Sequence, residues 1–231
     1  MTITLAAQPI APGTDLREAF RAAYENRYTW EPGFGGYRGH CVWEQPGVNG
    51  EPDQRVEGTF VVGSDLKATV EGLSDEEVHK AVASQLWEVA IHRVRRPFEQ
   101  THGANIFTAG GTDAVGTEVI MGGKAEGDRY RIKDNVVTMV HRHIHGTVVT
   151  IFTESITDTG SGYLSRTYTS RYSDPATGEA RGGTSRFTDT FVPLAGEGPW
   201  VLSERVVETD AHGDTPAGRQ VFRFEDLAPL G

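Results

Sequence analysis

Apolar residues return along this chain with two different periods. In LREAFRAAYENRY, Leu16, Phe20, Ala23 and Tyr24 share one stripe, which predicts an amphipathic helix over 15–28. Asp15, with Glu18 three residues on, supplies its start, and glycines 33, 35, 36 and 39 end the helical stretch. A second helical run is predicted over 75–96. Ser74 and Glu77 have the spacing of a capping box, Leu73 and Val78 flank it as a staple, and Pro97 stops the run. Val78, Val82, Leu86 and Val89 form one stripe of this helix, and Trp87, Ala90, Ile91 and Val94 cover the other side. A helix apolar nearly all round is expected to be buried. Gln85, Glu88 and His92 interrupt it within about 60° of arc, and buried polar groups need partners.

Elsewhere the alternation has period two. Strands are predicted near 37–45, 55–63 and 67–72, then near 117–122, 128–133, 136–157, 163–173, 181–193, 200–209 and 219–227. Turn chemistry separates them: Asp134-Asn135, Thr159 to Gly162, Asp174-Pro175 to Gly178, Gly196 to Pro199, Asp210 to Gly218. Short turns make sequential strands antiparallel neighbours. The expected class is α+β, mainly antiparallel β. It is pictured as a strongly curved meander or incomplete barrel wrapped around one long helix, with an N-terminal helix beside it. Residues 1–13 carry two prolines and no periodicity, so they are expected to be an arm, with 14–231 forming a single half-barrel domain.

Composition narrows the function. Apolar residues make up 37% and charged residues 23% of the 231, enough to bury a core and too apolar for disorder. A net charge of −10 argues against a nucleic-acid coat or an anionic membrane surface as partner. The lone Cys41 excludes an internal disulfide or an all-thiolate metal site. No run of 18 apolar residues exists, so no membrane span is expected. The opening MTITLAAQPIAPG lacks a basic region and a sufficient apolar run, so a cytoplasmic location is expected.

The candidate chemistry lies in His141-Arg142-His143-Ile144-His145. On a strand, alternate residues share a face, so the three imidazoles would point one way. Neighbours at i, i+2 are roughly 6.6 Å apart and can converge on one ion. The outer pair, about 13 Å apart, cannot do so easily. A third ligand would then come from elsewhere, or Gly146 would mark a bulge that re-aims His145. If the sheet curls around the second helix, His92 becomes the third imidazole and Glu88 a ligand, an orienter or a general base. An ordinary i, i+4 pair of Glu88 and His92, completed by Arg95 or Arg96, is the alternative. Imidazole ligands suit one transition-metal ion (Cu, Fe or Zn) and disfavour Mg or Ca. The expected function is a metal-dependent enzyme acting on a small molecule, with oxidative chemistry favoured over hydrolysis. The alternatives are a non-catalytic carrier of a lipophilic ligand and a structural metal site. Glu99-Gln100-Thr101-His102 is half of a di-iron signature without its second copy, which leaves His102 as a turn histidine or a reserve ligand.

The segments YENRYTW (24–30), IHRVRR (91–96), FEQTHG (98–103), GDRY (127–130), HRHIHG (141–146) and GYLS (162–165) carry a resemblance. With them, the chain from about residue 15 to its end resembles a bacterial family known as domain of unknown function 3386. Its order of helices and meandering strands is also similar to the unclosed barrel of LolA-type lipoprotein carriers. That second resemblance implies a greasy cavity for acyl chains and a periplasmic setting.

Overall fold

The computed structural model describes residues 2–4, 15–47 and 52–231. The arm expected over 1–13 lies outside the described residues, apart from a short strand β1 (Thr2–Thr4). The described elements that follow are α1 (Leu16–Glu25), β2 (Gly36–Gln45), β3 (Gln54–Gly63), β4 (Ala68–Glu71), α2 (Glu76–His92) and α3 (Phe98–His102). Next come β5 (Asn105–Asp113), β6 (Gly116–Gly123), β7 (Arg129–Lys133), β8 (Val136–Ile144), β9 (Thr147–Asp158) and β10 (Tyr163–Ser173). The chain closes with β11 (Ser185–Pro193), β12 (Trp200–Thr209) and β13 (Gly218–Pro229). Strands pair in the open order β4-β3-β2-β13-β12-β11-β10-β9-β8-β7-β6-β5, mainly antiparallel, with β1 beside β9. The expected α+β, mainly antiparallel class is therefore what the backbone adopts.

Contacts gather into two compact units. The first holds residues 1–28, 96–187 and 209–217; the second holds 29–95, 188–208 and 218–231. In the first unit the predicted stripe of α1 becomes core. Phe20 and Ala23 are fully buried with Phe98, Val119, Met121 and Tyr130. Phe20 packs its ring 4.9 Å from Tyr130 and 5.1 Å from the His102 imidazole. Two two-residue turns build the hairpins. Asp134-Asn135 has φ of 50° and 60° between the paired Lys133 and Val136. His145-Gly146 has φ of 48° and 75° between the paired Ile144 and Thr147. Two consecutive positive φ values match the right-handed strand twist, which fits a tight hairpin. The single run expected over 136–157 is therefore two strands. β5 was not expected at all; its Gly110-Gly111 interrupts a strand that pairs with β6.

In the second unit, Tyr37, Cys41 and Trp43 of β2 are buried, as are Phe60 and Val62 of β3 and Phe224 of β13. α2 packs on β4, β3 and β2 through Val78, Val82, Leu86 and Val89. Its cap is Asp75, one residue later than the expected Ser74: the Asp75 carboxylate accepts from Glu77 N at 2.9 Å and Val78 N at 3.1 Å. A full negative charge at the positive end of the helix dipole suits it better than a hydroxyl. The helix ends at His92, not 96, as Arg93 turns out of register at φ −92°, ψ −2°. With 10, 17 and 5 residues, the helices are short and the expectation of one long helix is corrected. Nor is α2 buried all round, because Trp87, opposite the packed stripe, is 51% exposed.

Candidate ligand-binding site

The histidine segment sits in the first unit, on β8 and the turn after it. His141 and His143 do share a face, with ring centroids 5.8 Å apart. Each already has a partner. His141 Nδ1 hydrogen-bonds the Thr150 hydroxyl at 2.9 Å across the strand pair. His143 donates its backbone N–H to Asp128 Oδ1 at 3.0 Å, and its Nδ1 lies 3.6 Å from the same carboxylate. Asp128, itself buried, also accepts from Arg142 Nε at 3.2 Å. Burial chiefly lowers the pKa of His141; the neighbouring His143, Arg129 and Arg171 lower it further, while Asp128 opposes them. His145 leaves the face altogether, because it is the first residue of the β8–β9 turn.

The two residues expected to meet these histidines belong to the second unit. His92 folds back on its own helix and donates Nδ1–H to the Glu88 carbonyl at 2.8 Å. Glu88 Oε2 lies 3.6 Å from Arg205 Nη1. Arg205 is buried, and its Nε and Nη2 each donate to Asp189 at 2.7 Å while Nη1 donates to Gln85 Oε1 at 2.9 Å. Gln85 and Glu88 of the predicted polar strip thus do find a partner, Arg205 of β12, which Asp189 of β11 holds in place. Burial pushes the Glu88 carboxyl pKa up, Arg205 pulls it down, and Asp189 pushes it up again. Among the described residues, no group of three or more His, Cys, Asp or Glu could hold a metal ion. The expectation of a metal-dependent oxidative enzyme with ligands His92, His141, His143 and His145 and base Glu88 is corrected by that finding. The physical reason is that the strand register leaves His141 and His143 as a pair, while the β8–β9 turn takes His145 off their face and His92 bonds its own helix.

His102, expected as a turn histidine or a reserve ligand, is buried at the end of a helix. It closes α3 inside the aromatic core, 4.9 Å from the Tyr24 ring, and its Nδ1 lies 3.2 Å from Asn105 Nδ2. Burial drives its pKa down to about 4, helped by Arg142 and Arg27 and opposed by Asp128. Tyr24, Tyr28, Trp30 and Tyr37 are buried packing residues. Arg205, Asp189 and Asp128 were missed. The signal for the first was the charged pair Glu204-Arg205 between the apolar ends of VLSERVV, and the other two gave none.

What remains open to a ligand is the outward side of α2. Trp87 and Ile91 are one turn apart, and Val94, just past the helix end, continues their stripe. Trp87 and Val94 are exposed and Ile91 is half-buried. Arg95, exposed, follows Val94 and holds Thr29 Oγ1 at 3.3 Å. A separate groove of about 330 Å³ lies on the outer face of β2–β4, where Arg38, His40, Thr59, Val61, Glu71 and Asp226 line it. Its walls carry both signs of charge, which suits a polar occupant rather than an apolar one.

The outward side of α2 is thus an apolar strip ending in a cation. The chain belongs to the family described as "Protein of unknown function (DUF3386)", whose profile matches residues 11–230. No curated protein matches it. Among solved structures it is similar to a LolA superfamily protein from Nitrosomonas europaea, at 9% identity over 95% of each chain with a TM-score of 0.36. It is also similar to a domain from Vibrio parahaemolyticus named for outer membrane lipoprotein sorting. There the identity is 7% over 93% of this chain and 92% of that one, with a TM-score of 0.33. Among the described residues, no helix is long and apolar enough to cross a membrane.

Proposed function

We propose that this protein is a non-catalytic carrier of a lipophilic ligand with an anionic end. The observation that carries the reading is the solvent-facing stripe of Trp87, Ile91 and Val94 on a helix whose opposite side already fills the core. Half of a tryptophan's area left in water is roughly 100 Å², and covering it with an acyl chain is worth about 2–3 kcal/mol. Arg95 beyond the stripe offers a cation to a carboxylate or phosphate end. The ionisable groups elsewhere support carriage over catalysis, since Glu88, His141 and His143 each serve a structural contact.

Fluorescence tests this directly. Trp30 and Trp43 are buried and Trp200 is half-buried, so Trp87 is the tryptophan most open to solvent. Titrating the protein with a long-chain fatty acid is expected to shift its emission to shorter wavelength. Trp87→Phe should remove the shift while keeping binding, measured by retention of radiolabelled fatty acid; Trp87→Ser should weaken binding at least tenfold. Binding of undiminished affinity in Trp87→Ser, or no binding by the parent protein, would overturn the proposal.

A further inference from the structure

The cross-strand register of the first unit aligns a second feature that the carrier reading does not use. Arg129 of β7 stands opposite His141 of β8, His141 opposite Thr150 of β9, and Thr150 opposite Arg171 of β10. Four adjacent strands at about 4.8 Å spacing make this a straight row roughly 14 Å long. Side chains directly opposite across strands lie on the same face, and the His141–Thr150 hydrogen bond confirms it here. His143 extends the row two residues along β8, with its ring against that of His141. This face is opposite to the one that receives α1, since Tyr130 and Val140, the alternate positions, pack into the α1 core.

The charges on and around the row are specific. Arg129 is 4.0 Å from Glu118 of β6, and Asp128 reaches His143 from the edge. Farther along β9, Glu154 is tied up by Arg186 at 2.5 Å. Counting only permanent charges, as the net charge of −10 does, Arg129, Arg171 and the Arg142 paired to Asp128 outnumber Glu118 and Asp128 by one. The local sign is opposite to the global one. Phe152, two residues from Thr150 on the same face of β9, is 39% exposed. It adds an apolar foot beside the cations.

An open sheet face has no walls to enclose a single small anion, so each isolated contact would stay weak and hydrated. A planar array of negative charge engages every cation of the row at once. Each basic side chain near an anionic bilayer adds roughly fivefold in affinity, and an exposed aromatic beside it can enter the headgroup layer. We propose that the row Arg129–His141–Thr150–Arg171, with His143 and Phe152, is a docking face for an anionic lipid bilayer. This corrects the inference from net charge alone, which averages over a surface the register has sorted. It also stands apart from the stripe on α2, because bilayer docking needs no bound fatty acid and fatty-acid binding needs no bilayer.

Sedimentation of the full chain with vesicles tests it. The protein is expected to pellet with vesicles containing about one-third phosphatidylglycerol and to stay in solution with pure phosphatidylcholine. Arg129→Gln with Arg171→Gln should weaken vesicle binding about 25-fold with an unchanged melting temperature, and raised salt should weaken the parent's binding. If the double variant misfolds, Phe152→Ser is the second probe, with a loss of several-fold expected. Equal binding to neutral vesicles, parent-like binding in the double variant, or capture of polyglutamate without any capture of vesicles would each overturn the proposal.

Discussion

The guanidinium of Arg205 meets the carboxylate of Asp189 through two parallel hydrogen bonds, Nε to Oδ1 and Nη2 to Oδ2, each 2.7 Å long. Both side chains are only 2% exposed. A fork-to-fork pair of this kind fixes the angle between its partners as well as their distance. It aims the remaining Nη1 at Gln85 and brings it within 3.6 Å of Glu88, so one arginine serves two polar side chains of α2. Asp189→Asn should therefore destabilise the fold by about 3–5 kcal/mol, because it strands a buried cation. Replacing both partners, as Asp189→Leu with Arg205→Met, should cost much less than either single change. Urea unfolding of the three variants measures the difference.

Acid should weaken the first unit through His102. Its folded pKa is about 4 against an ordinary 6.5, so the native state holds fewer protons than the unfolded chain between those values. The sign follows: this contribution to stability is complete above about pH 6.5 and is lost as pH falls toward 4. At full size it is about 3 kcal/mol. His102→Gln keeps a polar partner for Asn105 and removes the titration. Its unfolding free energy should be flatter over that pH window than the parent's, even if lower at neutral pH.

The helix starts, most strand spans and the Asp134-Asn135 turn could be read from the sequence because they are local. Leu16, Phe20 and Tyr24 lie on one stripe whatever they pack against. The site was less legible because it depends on which strand lies beside which. His141 and His143 were placed correctly on one face. Their fate was decided by Thr150 and Asp128, which only the register brings close. The same holds for Glu88, where spacing showed that a partner was required without showing that it is Arg205, 117 residues away in the chain. His145 failed for a local reason. Its positive φ was masked by the β-branched residues around it, which hid a two-residue turn inside an apparently continuous strand.

That turn yields a third prediction. His145 has φ of 48° and Gly146 has 75°, the conformation for which Asn-Gly is preferred. His145→Asn should stabilise the protein by about 0.5 kcal/mol, whereas Gly146→Ala should destabilise it by about 1 kcal/mol. Neither change touches the face of β8, so vesicle binding should remain as in the parent. Thermal melts of the two variants check the order.

Gly39 makes the last test, and it concerns how β2 accepts its neighbours. Along β13, three residue steps from Glu225 to Ala228 span what two steps span from His40 to Arg38, so β13 bulges there. Asp226 takes φ of 51° in the bulge and its carboxylate comes to 3.0 Å from His40 Nδ1 at the groove on β2–β4. The bulge presses on β2 at a position without a side chain. A Cβ on Gly39 would lie 2.4 Å from the Glu225 carbonyl oxygen and 3.1 Å from both Leu227 Cδ2 and Phe60 Cε1. The carbonyl is backbone in a paired strand and cannot swing aside as a side-chain tip could. Gly39→Ala should accordingly cost about 1–3 kcal/mol, with faster hydrogen exchange at residues 38–41 and 225–228. Gly218→Ala, where a Cβ meets nothing within 4 Å, should change stability by no more than about 0.5 kcal/mol. Equal changes at both glycines would show that the approach of the bulge does not set the cost.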